Sequence, residues 1–430
     1  MHGFIEVRPH EKEIIDSPIF QRLRRIRQLS FCYLVYHGAE HSRFGHSIGV
    51  MHLASRILNQ AVRNSQEYGT DSIRADPDDE RKLRLAALLH DVGHPPFSHG
   101  LEKSVFTKHE EYSSRLIEGP LAPLIDKAQC DPREISNLVQ SRAKKTYLAK
   151  ILSSQLDADR MDYLTRDSRF TGVMYGVFDL ERLILSTAIK NDQLVVLRKG
   201  LFAADQFLIS RFYMYEQVYL HEAKRAFEGM ASSFAASPDQ LGLGYPTVDE
   251  VSTEQGTEKF LRCDDEWFVD LVNKESKTDS PRGKLAYQLA QRIPYKKVIS
   301  SEDLGKVYSK KEGRPMQEAG LSGIDVLRAV INENMDKLGV NPLDVLSDTY
   351  RNLPLQLRPY TNPFQSESDE EEASSPIQIY DDETGDLTPI ENTSTAIKSL
   401  SENVPRLSRI YAAQSVREKL TQFVNKYKVG

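Results

Sequence analysis

Residues 86–99, AALLHDVGHPPFSH, set three histidines and an aspartate in fourteen positions, where an apolar helical stretch meets a glycine and two consecutive prolines. Imidazoles and carboxylates without a thiolate suit a divalent ion such as Mn, Fe, Zn or Mg. In mid-helix, adjacent side chains point about 100° apart, so His90 and Asp91 would diverge. Ending the helix just before Gly93 and Pro95 frees the backbone there, and both side chains can then face one ion.

Three more stretches carry the same chemistry: HSRFGHSIG (41–49), HEEYS (109–113) and LDADRMDYLTRD (156–167). In the last, Asp159, Tyr163 and Asp167 step by about 40° each on a helix, with Arg160 in the same arc. One face then offers two carboxylates, a cation and an aromatic ring, which suits a metal, a phosphate, a flat base and a sugar hydroxyl. Arg211, Tyr215 and Tyr219 share a second face. Each stripe alone also fits a salt-bridged, half-buried helix surface. The ordered series His, His-Asp, Asp is more specific.

These groups need helices to hold them. Residues 17–235 read as a succession of helices; Val50, Ala54, Ile57 and Ala61 share one apolar face of HSIGVMHLASRILNQAV. QLVVLRKG (193–200) looks like half a hairpin. A Gly/Pro/Ser-bearing connection at 236–257 leads into a helical continuation. We therefore expect a mainly α architecture: a core over 1–235, further helices over 236–360, an acidic flexible loop at 361–376, and a smaller α+β lobe over 377–430. In that lobe, PIQIYDDETGDLTPI forms a hairpin turning near Gly385 and VREKLTQFVNKY a final helix packing back on the core.

The chain has 430 residues, with 56 Lys plus Arg against 62 Asp plus Glu. This balance disfavours a generally basic nucleic-acid binder. Three scattered cysteines with no CxxC pair argue against a thiolate zinc site and suit a reducing compartment. No apolar run approaches membrane-spanning length, so the expectation is a cytoplasmic protein with no membrane partner. A Walker-type phosphate loop is absent, and neither HEEYS nor HEAKR supplies the second histidine of HExxH.

The series His46, His90-Asp91, Asp159 resembles the signature of HD-domain metal-dependent phosphohydrolases. DSPIFQRLRRIRQL, HSRFGHSIGV, LLHDVGHPPFSH, DADRMDYLTRD and the tyrosine helix are similar to deoxynucleoside triphosphate triphosphohydrolases, both bacterial and of the mammalian SAM-and-HD-domain type. The likeness is dense from residue 2 to about residue 225. It implies that His46, His90, Asp91 and Asp159 hold the divalent ion, and that His94, His99 and His109 line the site over the α-phosphate with Glu102 orienting a histidine. Of these, His99 is our choice for the proton donor, with His109 in support. Arg43, Arg160 and Arg211 would grip phosphates. Gln28, Leu29, Tyr163, Asp167 and Tyr219 would surround the sugar, with Gln28 and Asp167 on the 3′-hydroxyl and Leu29 and Tyr219 crowding the 2′ position.

The resemblance further implies a dNTP or GTP effector at subunit interfaces of a homo-oligomer, a dimer or tetramer. Asp16, Gln21 and Arg24 would read the effector base, and Arg182 and Arg198 its phosphates. Arg160 stands where the mammalian enzyme has lysine, which keeps the charge but changes geometry and hydration. A basic residue expected near the start of the chain is absent. Two other readings stay open at this stage: an HD phosphohydrolase of another nucleotide, and a non-catalytic nucleotide or single-strand nucleic-acid binder.

Overall fold

A computed structural model describes residues 1–71, 73–105, 107–236, 244–305, 316–350, 376–402 and 407–428. It is mainly helical, as the apolar periodicity requires. The helices that build the centre are α1 (Arg43–Glu67), α2 (Pro77–Leu89), α3 (His99–Val105), α4 (His109–Glu118), α5 (Ala158–Thr171), α6 (Leu201–Met214) and α7 (Glu222–Ala235). Val50, Ala54, Ile57 and Ala61 of α1 are fully buried, against Leu83, Ala86 and Leu89 of α2 in one apolar core.

Local chemistry sets the helix ends. The Asp76 carboxylate accepts from Asp78 N at the start of α2, Pro77 fills the first position, and Asp78, Asp79 and Glu80 complement the helix dipole. At the other end α2 stops at Leu89, with His90 as its cap residue. The chain then turns through Phe97 and Ser98, both at positive φ (55° and 52°), before α3 begins at His99. Gly93 sits in this turn because a Cβ there would lie 2.3 Å from both His109 O and Ser113 N of α4. The contact lets α4 cross directly over the turn.

A four-stranded sheet flanks the helices. Strands β1 (Thr187–Lys190) and β2 (Gln193–Leu197) form an antiparallel hairpin whose turn residues, Asn191 and Asp192, both have positive φ. Half of this hairpin was expected from the sequence. Strand β5 (Gln378–Tyr380) runs parallel to β2 and turns back through Gly385 (φ 81°) into β6 (Leu387–Pro389).

The purely helical continuation to residue 360 needs correction. After α8 (Asp265–Glu275), strand β3 (Lys296–Ser300), helix α9 (Met316–Glu333) and strand β4 (Val345–Tyr350) alternate. Both strands pair antiparallel with β7 (Leu407–Ala412), in the order β3-β7-β4, and helix α10 (Gln414–Lys428) follows β7. These strands are short and find their partners across a long sequence separation, so no local alternation announces them. The expected acidic loop at 361–376 lies outside the described residues except for Pro376. No described helix is long and apolar enough to cross a membrane.

Candidate metal centre and active site

Two imidazoles define the centre. His46, in the first turn of α1, is fully buried, and its Nδ1 donates to Asp162 Oδ2 of α5 at 2.8 Å. His90, at the end of α2, donates from Nδ1 to the Ala87 carbonyl at 2.8 Å. In each ring the anchored Nδ1–H leaves Nε2 as the atom turned to the site. Neither Nε2 has a hydrogen-bond partner, although both are buried.

Carboxylates stand beside them without hydrogen-bond geometry. Asp159 Oδ1 lies 3.0 Å from His46 Nε2 and 3.9 Å from His90 Nε2. Asp91 Oδ2 is 3.5 Å from His46 Nε2, and its Oδ1 is 3.3 Å from His90 Nε2. Donor atoms of His46, His90 and Asp159 all fall within 4.8 Å of one another. Asp91 abuts both imidazoles just outside this group of three, and Arg43 Nη1 holds its Oδ2 at 2.5 Å.

Burial lowers the basicity of His46, but Asp159, Asp162 and Asp91 overcome it and raise the imidazole to about 10. Burial works against the charge of Asp91 as well, and Arg43 with the neighbouring histidines still holds that carboxyl well below its usual range. Orphaned, preoriented Nε2 atoms within an anionic shell fit a divalent cation, which would displace a proton from His46 on binding.

A second cluster adjoins the first. Glu102 bridges two imidazoles: Oε1 accepts from His109 Nδ1 at 2.7 Å and from His109 N at 2.6 Å, while Oε2 lies 2.5 Å from His99 Nδ1. The His99 side chain is 56% exposed. His94 is fully buried and stacks on His109 with ring centroids 3.7 Å apart; neither of its ring nitrogens has a hydrogen-bond partner. Burial, then Arg43 and His109, holds His94 well below the usual histidine range, hence neutral. Burial also opposes the charge on His109, but Glu110 and Glu102 raise it to about 9.

Several of the residues expected around a sugar meet at Asp167. Its Oδ2 accepts from Tyr219 OH at 2.7 Å and its Oδ1 lies 2.8 Å from His41 Nε2. Tyr163 packs edge-on against Tyr219. Gln28 N donates to the His41 carbonyl, the Gln28 side chain is buried with Oε1 unpartnered, and Leu29 is buried beside it. The tyrosine stripe departs from a plain α-helix: α6 ends at Met214 and Tyr215–Tyr219 form a π turn, which re-aims Tyr219 toward Asp167.

The three arginines divide. Arg160 is folded back on Asp157, which also caps α5, and Arg211 Nη1 donates to Gln155 Oε1 at 2.9 Å; both keep a buried Nε without a partner. Arg43 is committed to Asp91 and, through Nε, to Ser98 Oγ at 2.7 Å. The residues assigned to an effector lie in other contacts. Arg24 donates to Gln21 and covers the Phe44 ring, Arg182 donates to Lys199 O, Arg198 pairs with Asp381, and Asp16 is an exposed helix cap.

Four contributors escaped sequence reasoning. Asp162 fixes His46 and is itself held by both Arg166 Nε and Nη2. His41 holds Asp167. Arg22 is fully buried and donates from Nη1 to His94 O at 2.8 Å. Asp265, at the start of α8, accepts from Phe97 N at 2.7 Å and from Arg27 N at 2.9 Å, tying the histidine turn to the segment that carries Gln28. Only Asp162 had a local signal, its i+4 pairing with Arg166.

Residues 43–167 match the HD domain, and residues 178–321 match the HD associated region. The chain carries an HD domain. All four metal-site candidates fall within it, and Asp265 falls within the associated region. Among curated proteins, the chain is 38% identical over 246 residues to the uncharacterized protein YwfO of Bacillus subtilis, covering 56% of this chain and 55% of that one. It is 29% identical over 256 residues to a Dictyostelium discoideum homolog of deoxynucleoside triphosphate triphosphohydrolase SAMHD1, covering 56% and 49%. The chain thus spans about half the length of these relatives. Among solved structures, a phosphohydrolase from Bacteroides thetaiotaomicron superposes with a TM-score of 0.69 at 25% identity, over 95% of this chain and 97% of that one.

Proposed function

We propose that this HD-domain protein is a metal-dependent hydrolase that cleaves deoxynucleoside triphosphates to deoxynucleoside and intact triphosphate. One observation carries the hydrolase reading: the anchored imidazoles of His46 and His90 present unpartnered Nε2 atoms beside Asp159 and Asp91. A divalent ion held by these four residues supplies Lewis acidity toward a phosphoryl oxygen and acidifies water.

The chain's own groups do the rest. Arg160 and Arg211 offer buried, unpartnered guanidinium N–H groups to the phosphate chain. Arg43 fixes Asp91. Water adds across the bond from the α-phosphorus to the 5′-oxygen: its hydroxyl goes to phosphorus, its proton passes to solvent, and a proton goes from His99 Nε2 to the departing oxygen, after which His99 takes a proton back from solvent. Glu102 holds His99 and His109 in register for this transfer. Gln28, Asp167 and Tyr219 receive the sugar. The likeness to the Dictyostelium homolog of a deoxynucleoside triphosphate triphosphohydrolase supports this choice of substrate. Activation by a dNTP or GTP that drives oligomer assembly belongs to the same proposal.

The test is to incubate purified protein with Mn or Mg and each dNTP and to identify the products chromatographically. Deoxynucleoside plus triphosphate is expected. Release of a nucleoside monophosphate or of orthophosphate overturns the proposed reaction.

A further inference from the structure

We infer that His41 is a specificity-setting positioning residue for the sugar-hydroxyl contact expected of Asp167 and Gln28. The inference deepens the dNTP reading above and rests on it.

His41 grips both members of the pair from one position. Its side chain reaches Asp167 Oδ1 at 2.8 Å and its backbone carbonyl accepts from Gln28 N at 3.0 Å. A carboxylate offers acceptors only, so the His41 Nε2 carries the proton in this contact. Tyr219 OH donates to the other oxygen at 2.7 Å. Asp167 is therefore held by two protein donors, one on each oxygen, and its remaining lone pairs accept from whatever enters. A ligand hydroxyl suits it; an aliphatic carbon leaves those lone pairs dry and unpaired.

The ring cannot turn away. It stacks on Phe170, one turn beyond Asp167 on α5, with centroids 4.6 Å apart. The backbone of the loop bearing His41 closes on the same helix end, where a Cβ on Gly38 would lie 2.4 Å from Phe170 O. His41 is 7% exposed and Gln28 is 8% exposed. The Gln28 amide is buried with its Oε1 unpartnered, and turned about its last torsion it offers an N–H to the oxygen of the same hydroxyl. A buried acceptor already prepaired with two protein donors discriminates a ligand hydroxyl from an aliphatic carbon.

The experiment compares dATP with 2′,3′-dideoxy-ATP, first by calorimetric binding and then by turnover, in wild-type protein and in His41→Leu and His41→Gln. Sites that hydrogen-bond a substrate hydroxyl reject analogues lacking it by up to about 10⁴-fold. His41→Leu should cut the dATP-over-dideoxy-ATP preference about tenfold or more. His41→Gln, whose Nε2 can still reach Asp167, should restore it. A purely structural role would lower both nucleotides alike and leave the ratio intact.

An unchanged ratio in His41→Leu overturns the inference, as does a wild-type protein that binds both nucleotides equally. Should His41→Leu not fold, His41→Asn, whose shorter amide cannot reach Asp167, is read by the same criterion. Preferential dATP binding without turnover would sink the proposed reaction while leaving this binding ratio readable. Turnover with an unmoved ratio would do the reverse.

Discussion

Asp162 gives the sharpest test of the metal centre, because it touches the centre only through His46. Its carboxylate receives four donors: His46 Nδ1 at 2.8 Å and Arg166 Nε at 2.8 Å on Oδ2, with Arg166 Nη2 at 3.0 Å and His2 Nε2 at 2.6 Å on Oδ1. Asp162→Asn keeps the shape and removes one acceptor oxygen, so in either amide orientation two of the four donors meet an NH₂. If the His46 contact fails, the ring loses its orientation and its Nε2 swings off the donor set. Carboxylates that orient a metal-binding histidine are typically worth about 10–100-fold in metal affinity, which corresponds to about 1.4–2.8 kcal/mol. Gly49→Ala perturbs the same carboxylate without changing charge, since its Cβ would stand 1.9 Å from Asp162 Oδ1 and 2.7 Å from Arg166 Nη2. Both variants should show the weaker affinity when Mn is titrated calorimetrically into chelator-treated protein. Affinity equal to wild type in folded Asp162→Ala protein, where no acceptor for His46 remains, would refute the argument that Asp162 presets His46.

Three other perturbations probe neighbouring parts. Glu102→Gln removes the acceptor shared by His99 and His109 and should lower kcat by about 10²–10⁴-fold with metal content intact; loss of metal instead would place Glu102 in the ligand set. Asp265 is raised to about 6, chiefly by burial. A folded-state value above the unfolded one near 3.8 means that its favourable contribution is complete below that value and is lost as pH rises through about 6. Denaturant titrations from pH 4 to pH 7 should therefore show the wild type losing up to about 3 kcal/mol relative to Asp265→Asn, and parallel profiles would remove Asp265 as the titrating group. Sedimentation with and without dGTP or GTP should show nucleotide-driven assembly, weakened in Arg198→Ala; an identical profile under every condition would end the effector proposal.

The candidate ligands were legible as a cluster because histidine is scarce and here falls in short, ordered groups. The α2 terminus was equally legible, since Gly93 and two prolines cannot continue a helix. The residues that hold those ligands were not. His46 and Asp162 are 116 positions apart, His41 and Asp167 are 126 apart, and Phe97 and Asp265 are 168 apart. An aspartate or a histidine in such a place looks like any other until the fold closes the loop between the partners. The strands β3, β4 and β7 were hidden for the same reason, as each is stabilised by a partner distant in sequence. Asp265 shows what this means for the division of labour. The HD domain supplies the side chains that face the candidate metal centre, but the turn presenting His99 runs through two positive-φ residues, a conformation that side chains disfavour. Arg22 holds that turn at His94 O, and a carboxylate from the HD-associated region holds it at Phe97 N. The strained turn therefore depends on the second region for its geometry, and separating the two regions should cost the site its histidine alignment while leaving the His46–Asp162 anchor in place.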